Sequence, residues 1–489
     1  MSGISLNELR AAAAHDAREA GLVTDFPEPV LQEAREVAGR SSQIFARSAA
    51  RDLTALPWSS IDNSESLDLD QVECAERLHG GRIRVLIGIA DVDAFVPKAS
   101  AIERHAYANT VSLYTPGKVF PMLPEQLSND ATSLLEGQDR LAVVTEMILT
   151  SGGEVGGVSI YRALVRNRVK LIYETAGAWL DGHAPVPPEV ARIGGMEAQL
   201  RLQEEASQLL RAFRRRRGAL ELETREAVPV VSEGGVIELS TRERTRAQEI
   251  IENFMIAANT AMAEFLESKG MPSLRRVVRQ PERWPRIADL AAQFDESLPA
   301  QPNSLALANF LSRRRAADPA SYAELSLSIL KLMGSGEYVV ETPDADSDGH
   351  FGLALDDYTH STAPNRRYAD LVTQRSVKSL LAGEPAPDTV DELRAIAARC
   401  NSKESAARGV ERRMRKAATA LLIGERVGEV FAGVVTGVKE KGTFVKLIAP
   451  PVEGKVVEGA SGLDVGDRVR VRLLSVDARR GFIDFARAD

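Results

Sequence analysis

Apolar and polar positions along this chain follow helical spacing in some stretches and strict alternation in others, and the change between the two marks its elements. Residues 6–20 are rich in Ala, Arg and Glu and predict a helix that ends near Gly21. A second helix is expected to start after Pro27-Glu-Pro29 and stop near Gly39, with Val30, Leu31, Ala34 and Val37 as its apolar stripe. From Arg82 to Val96 the period drops to two: Ile83, Val85, Ile87 and Ile89 alternate with other residues, as in a strand. Val143 to Ile160 predicts a strand pair turning around Gly152-Gly153. Residues 197–217 form a charged helix closing in Arg214-Arg-Arg-Arg217 before Gly218. The clearest helix runs from about Ala247 to Lys269, with Ile250, Ile251, Phe254, Met255, Ala258, Met262 and Phe265 at helical spacing and Gly270 as its stop. Another helical region covers Leu393–Leu422.

The last sixty residues change character. From Gly428 onward, short β-like segments are broken by glycines, with turns every eight to twelve residues, which predicts a small closed barrel. Basic residues there number ten and acidic nine, so any nucleic-acid face must come from local clustering. Lys439, Lys441 and Lys446, with Phe431 and Phe444 as stacking platforms, are the candidates. Such aromatics on strands are more often barrel core than platform.

At 489 residues the chain exceeds one ordinary core, so two or three domains are expected. Hydrophobic content of 44% and charged content of 27% fit a soluble globular protein. No apolar run reaches the roughly 18 residues of a membrane span, and the first residues show no export signal. Cys74 and Cys400 stand far apart without a His or Cys cluster, which argues against a zinc knuckle or disulfide framework and suits the cytoplasm. A net charge of −8 disfavours indiscriminate coating of nucleic acid but leaves room for a local basic channel.

Candidate chemistry sits in two places. Ser60-Ile-Asp-Asn-Ser-Glu-Ser-Leu-Asp-Leu-Asp-Gln71 puts Asp62, Asp68 and Asp70 within nine positions. Carboxylates repel, so three converging in a partly buried place need a cation between them, and an oxygen-preferring ion such as Mg²⁺ leaves positions for substrate phosphates. Asp68 and Asp70, two apart, leave the same face of an extended segment. A solvated acidic turn is the alternative reading of the spacing. In Tyr358-Thr-His-Ser-Thr-Ala-Pro-Asn-Arg-Arg-Tyr-Ala-Asp-Leu371, Arg366 and Arg367 follow a Pro turn at the start of an expected helix and suit a phosphate. Arg366, Arg367 and Asp370 equally suit a surface ion-pair set.

Together these stretches resemble the catalytic domain of the ribonuclease II family. The likeness continues through Ile87-Gly-Ile-Ala-Asp-Val-Asp93, Ser112-Leu-Tyr-Thr-Pro-Gly-Lys-Val-Phe-Pro-Met-Leu-Pro124, Leu127-Ser-Asn-Asp130, Arg217-Gly-Ala-Leu220, Ile251-Glu-Asn-Phe-Met255 and His350-Phe-Gly352, in the family's order from about residue 50 to 380. The C-terminal stretch is similar to the OB-type RNA-binding barrel that closes these enzymes. The resemblance implies an α+β catalytic domain, a mixed sheet with packed helices, over 49–425. A short helical segment, 1–48, would precede it and an all-β OB-type barrel, 428–489, would follow. It implies metal-dependent, processive 3′→5′ hydrolysis of single-stranded RNA to 5′-nucleoside monophosphates, with no membrane and no obligate protein partner. Asp62, Asp68 and Asp70 fall on the family's metal-binding aspartates, and two Mg²⁺ ions, with Mn²⁺ as a substitute, are expected there. Asp70 and Arg366 are the expected catalytic pair, with Arg366 at the scissile phosphate. Tyr114 falls on the tyrosine that packs against the terminal nucleotide. Arg367, His360, Glu252, Lys439 and Phe444 are further candidates for RNA contact.

Two departures matter. The family often has a fourth aspartate where this chain has Gln71, a neutral side chain that can still coordinate a metal or bind its water. Cold-shock barrels usually precede the catalytic domain, whereas about fifty helical residues precede Arg51 here, which leaves exclusion of duplexes open. His360 equally suits a packed structural role and Glu252, on the helix face read as buried, an ion pair, whereas Arg214–Arg217 reads first as a solvated helix end and second as a contact to the RNA backbone. Asp344-Ala-Asp-Ser-Asp-Gly349 opens like a calcium loop, but its twelfth position is Leu355 where a bidentate Glu is required. Two competing readings remain: an RNA-binding regulator with weakened catalysis, favoured by Gln71 and the acidic charge, and a DNA-directed metal nuclease.

Overall fold

The computed structural model describes residues 6–223, 227–232, 235–241, 244–319, 321–343, 348–440, 442–464, 466–477 and 481–488, with backbone alone at 227, 228, 230–232, 235–241 and 439. Helices α1 (Leu6–Glu19), α2 (Glu28–Ala38) and α3 (Ser41–Arg47) lead into strands β1 (Arg51–Asp52), β2 (Ser59–Asp62), β3 (Gln71–Arg77) and β4 (Ile83–Ala90). Helix α4 (Ala101–Asn109) and the hairpin β5 (Leu113–Thr115) and β6 (Lys118–Phe120) follow, then β7 (Asp139–Leu149), β8 (Val155–Arg166) and β9 (Val169–Ile172). These strands, apart from the hairpin, make one seven-stranded sheet in the order β1-β8-β7-β4-β3-β2-β9. It is mixed, because β1 on β8 and β2 on β9 are parallel and the remaining pairs antiparallel.

The period-two stretch around Ile83–Ile89 is buried on both faces because helices cover both. Val72, Cys74, Leu86 and Val144 face a core shared with α2, α4 and two later helices, α12 (Tyr368–Ala382) and α13 (Val390–Gly424). Ile61, Ala75, Ile87 and Ile89 face α5 (Tyr173–Leu180), α6 (Pro188–Ala191), α7 (Met196–Arg217) and α8 (Arg246–Ser268). The β7–β8 turn comes so close to α7 that a Cβ on Gly153, already at φ +83°, would lie 2.1 Å from the Leu209 carbonyl oxygen. Helix α8 carries the apolar stripe read from the sequence and starts in a capping box between Thr245 and Gln248.

Hairpin β10 (Ala227–Ser232) and β11 (Gly235–Thr241), pair β12 (Ser273–Val277) and β13 (Glu337–Glu341), and helices α9 (Trp284–Ala292), α10 (Ser304–Ala317) and α11 (Tyr322–Met333) lie outside the main sheet. Helix α13, capped by Thr389 and Glu392, leads to a closed five-stranded barrel, β14 (Val430–Lys439), β15 (Gly442–Leu447), β16 (Glu453–Glu458), β17 (Arg468–Asp477) and β18 (Phe482–Arg487), in the order β14-β15-β16-β18-β17. Phe431 is barrel core, the alternative favoured for it over a stacking platform. Helix α1 packs Leu9, Ala13 and Ala17 on α13 and on Leu113 and Phe120 of the β5–β6 hairpin. Among the described residues no helix is long and apolar enough to cross a membrane.

A buried charge network fixes α12 to the end of β4. Asp91 pairs with Arg162 at 2.8 Å and Lys378 at 2.7 Å, while Arg375 pairs with Asp93 at 2.8 Å and Glu103 at 2.5 Å. Gln374 adds a bond to the Ala90 carbonyl at 2.8 Å. The loop carrying Arg366 is thereby held over the sheet.

Candidate active site

Asp62 ends β2, Gln71 begins β3, and the loop between them carries Asp68 and Asp70. Leu69 is buried in the core between the two aspartates. Ser133 Oγ donates to the Leu67 carbonyl at 2.6 Å and accepts from Leu69 N–H at 3.0 Å. Lys170 Nζ donates to the Ser66 carbonyl at 2.6 Å. The loop backbone is thus fixed on both sides of Asp68, and the two carboxylates flank an anchored apolar residue.

Each carboxylate meets a different partner. Gln71 Nε2 lies 3.3 Å from Asp62 Oδ1, and Tyr114 Oη lies 3.3 Å from Asp68 Oδ2. Asp70 accepts from Asn365 N–H at 3.2 Å, and Arg366 Nε lies 3.6 Å from its other oxygen. Arg366 is 45% exposed and Asp70 only 5% at the side chain, so a half-exposed guanidinium reaches a buried acid. Burial pushes Asp70 up to about 7, with Arg366 opposing and Asp68 adding to the rise. Burial likewise lifts Asp62 to about 7 against the Gln71 hydrogen bond and Lys170.

Of these groups Asp68, Tyr114 and Asn365 line a cleft of about 1580 Å³, together with Tyr173, Arg244 and Arg415 among others. Tyr114, 41% exposed, stands on β5 with its backbone N–H bonded to Glu411 of α13 at 3.0 Å. The donor set suits a hard divalent cation: three carboxylates and an amide, two of the acids short of neutralising charge. The three aspartates do not all approach within 4.8 Å of one another, as Glu267, Glu341 and Asp357 do. That second trio already has a cation, because Arg275 donates to Glu341 Oε1 at 3.0 Å.

Other candidates fall elsewhere. Arg367, beside Arg366, turns into the protein and pairs with Asp370 at 2.7 Å. His360 Nδ1 shares a 2.7 Å hydrogen bond with Tyr338 Oη, its ring edge-on to Tyr338 and Tyr358. Burial, then Arg367 and Arg276, holds His360 well below the ordinary histidine range. Glu252 is exposed and paired with Arg244, which corrects its assignment to the buried helix face. Asn253 takes the buried place and donates to Ser207 Oγ at 2.9 Å. Of the arginine run only Arg214 is part-buried, donating to Asn253, while Arg215, Arg216 and Arg217 are exposed at the helix end, Arg216 donating to the Gly152 carbonyl at 2.5 Å and Arg217 pairing with exposed Asp356 at 3.3 Å. Phe444 lies on β15 between buried Thr443 and Val445, half-buried itself and outside the barrel core. The side chain of Lys439, Lys441, and residues 344–347 of the calcium-like stretch lie outside the described residues.

Two cleft residues had no sequence signal. Tyr173 follows Ile172, which pairs with Asp62 across the parallel β2–β9 ladder, and it is acted on by Asp62 and Arg366. Asn365 serves the site through its backbone N–H, which any residue except proline supplies.

Comparison with known proteins places these features in a family. The RNB domain profile matches residues 50–383, and that of the RNase II-type exonuclease C-terminal S1 domain matches 429–488. Ribonuclease R 1 of Lactococcus lactis is 29% identical over 497 residues, covering 95% of this chain and 59% of the relative. Ribonuclease R of Escherichia coli is 30% identical over 502 residues, covering 94% and 60%. The chain thus spans about three fifths of the length of these two relatives. The structure of Mycoplasma genitalium RNase R in complex with ribose methylated single-stranded RNA superposes with a TM-score of 0.88 at 23% identity, covering 98% of this chain and 78% of that one.

Proposed function

The chain belongs to the RNB-domain family, and from that premise we propose that it is a divalent-metal-dependent exoribonuclease. It removes nucleotides processively from the 3′ end of single-stranded RNA, as 5′-monophosphates, in the cytoplasm. The observation that carries this reading is that Arg366, some 300 residues later in sequence, reaches Asp70 and acts on Asp62, beside a cleft that Asp68 and its partner Tyr114 line. The residues 49–425 form the catalytic body, 428–489 the RNA-holding barrel, and 1–48 a support for the hairpin that bears Tyr114.

Asp62, Asp68 and Asp70, with Gln71, hold the cation pair, Mg²⁺ by preference. When bound, such ions supply a nucleophilic water near neutral pH and offset charge on the leaving oxygen. Arg366 offsets the charge on the phosphoryl group as the P–O3′ bond breaks and water oxygen bonds to phosphorus. The proton lost by water ends on the departing 3′ oxygen, leaving a shortened chain and a 5′-monophosphate. Tyr114 stacks on the chain end and fixes which phosphate lies over Arg366. The single-stranded RNA held by the Mycoplasma relative supports this choice of substrate class.

A 5′-labelled oligoribonucleotide incubated with Mg²⁺ tests the reading. Stepwise shortening that EDTA stops, with the matching deoxyribose strand left intact, is the expected result. A gel shift without shortening would instead support the regulator reading, to which the neutral Gln71 lends weight. Tyr114→Ala is expected to lengthen the terminal product, since the last nucleotides lose their stacking partner, worth about 1–3 kcal/mol per base. A product ladder that ends at the wild-type length would remove Tyr114 from this role.

A further inference from the structure

Tyr114 stands in a hairpin too short to hold itself in place. Strands β5 and β6 have three residues each and form a two-stranded sheet of their own, and a lone hairpin of that kind is marginally stable at best in water. Its position comes from its surroundings, through contacts at three levels. At the base, the segment entering β5 pairs with the loop that carries Arg366. Ser112 N–H donates to the Arg366 carbonyl at 3.0 Å, Tyr368 N–H donates to the Thr110 carbonyl at 2.8 Å, and Val111 lies opposite Arg367. At the turn, Arg10 of α1 donates from Nε to the Gly117 carbonyl at 2.9 Å. Between them, Tyr114 faces Val119 across the hairpin, and its own N–H donates to Glu411 Oε1 of α13 at 3.0 Å. Arg413, two residues on from Glu411, pairs with Asp16 of α1 at 2.9 Å, so the two helices that hold the hairpin are also tied to each other.

Only Ser112 and Leu113 separate the main-chain bond to Arg366 from the Tyr114 N–H, and Leu113 is buried in the core under α13. With the base fixed, the freedom left to Tyr114 is a tilt of the hairpin away from α13, and the Glu411 bond stops that tilt. We propose that Glu411 is a positioning residue: by holding the Tyr114 main chain on α13 it sets the spacing from the tyrosine to Arg366, and with it the length of the terminal product. It acts through Tyr114, and the inference rests on the stacking role proposed for Tyr114 above. The bond asks for an acceptor and not for a charge. Glu411 also lines the cleft, where a carboxylate repels the phosphates of a bound strand. Its removal is therefore expected to change the register of cleavage without weakening the capture of RNA.

The full chain acting on the 5′-labelled oligoribonucleotide with Mg²⁺ gives the test. Glu411→Ala is expected to yield a mixed terminal ladder that includes products longer than the wild-type one. Its kcat is expected to fall about tenfold, within the roughly 10²-fold that a 1 Å misplacement can cost, while KM does not rise. Glu411→Gln keeps the acceptor and is expected to return the wild-type ladder. A residue that only supports the fold would lower the thermal midpoint and leave the ladder as it was. A wild-type ladder from Glu411→Ala therefore overturns the proposal. So does Glu411→Gln behaving as Glu411→Ala, which would assign the effect to the charge. Glu411→Leu, a good helix former without an acceptor, gives the same reading where alanine disturbs folding. Binding without turnover separates this inference from the one beneath it. RNA carrying 2-aminopurine as its last base is bound in EDTA, and stacking quenches its fluorescence. Both Tyr114→Ala and Glu411→Ala are expected to relieve the quench, the second in part. Relief in Tyr114→Ala but none in Glu411→Ala sinks the role of Glu411 alone, and relief in neither sinks the stacking role of Tyr114 with it.

Discussion

Asp70→Asn should reduce monophosphate release by about 10²–10³-fold or more, the scale for removing one preorganised electrostatic stabiliser, while RNA still shifts on a gel. The substitution keeps the shape of the side chain and its capacity to accept from Asn365 N–H. What it removes is the charge opposite Arg366 and beside Asp68. Burial already holds this acid near 7, so an amide fits the metal-free site at least as well, and the variant is expected to fold with unchanged or higher stability. RNA affinity depends on phosphate and stacking contacts spread along the strand, so it survives the change. Native turnover in Asp70→Asn, measured on the same labelled oligonucleotide, would refute the assignment of the catalytic centre.

The parts of this site that could be read from sequence are those whose logic is local. Asp68 and Asp70 flank Leu69, and that acid–apolar–acid pattern around an anchoring core residue is visible in three letters. The stripe of α8 and the glycine-punctuated barrel are legible for the same reason, since each follows one period over many residues. Tertiary choices were not legible. Arg366 and Arg367 are adjacent and chemically identical, yet only the second has Asp370 three residues on and within 2.7 Å, which draws it inward. Glu252 and Asn253 exchange the expected faces because Ser207 and Arg214 offer the buried amide its partners. Tyr173 reaches Asp62 through a parallel ladder whose strands lie about a hundred residues apart, a pairing that no spacing within either strand encodes. Helices α9 to α11 gave no signal, and α10 shows why: Leu307, Phe310 and Leu311 are buried while Leu305 on the same helix is exposed.

Asp91→Asn should destabilise the protein by about 3–5 kcal/mol at neutral pH, the range for breaking a buried ion pair by removing one partner. Asp91 is fully buried between Arg162 and Lys378, and an amide would leave Arg162 without its carboxylate and Lys378 with Asp93 alone. Burial by itself would raise the Asp91 carboxyl, but Lys378 and Arg162 outweigh it and hold the group below the ordinary value. A depressed carboxyl contributes stability that is present above the unfolded value, about 3.9, and is lost as pH falls through the folded one. The gap between native protein and variant in urea midpoint is therefore expected to be full at pH 7 and to shrink below about pH 4, near that unfolded value. A gap under about 1 kcal/mol at pH 7, the ceiling for an exposed pair, would mean that the network is dispensable. Because the same network fixes α12, and with it the 363–367 loop, Asp91→Asn should also lower turnover in the folded fraction. Native turnover per folded molecule would show instead that the contacts of Asn365 and Asp370 suffice to hold Arg366 over Asp70.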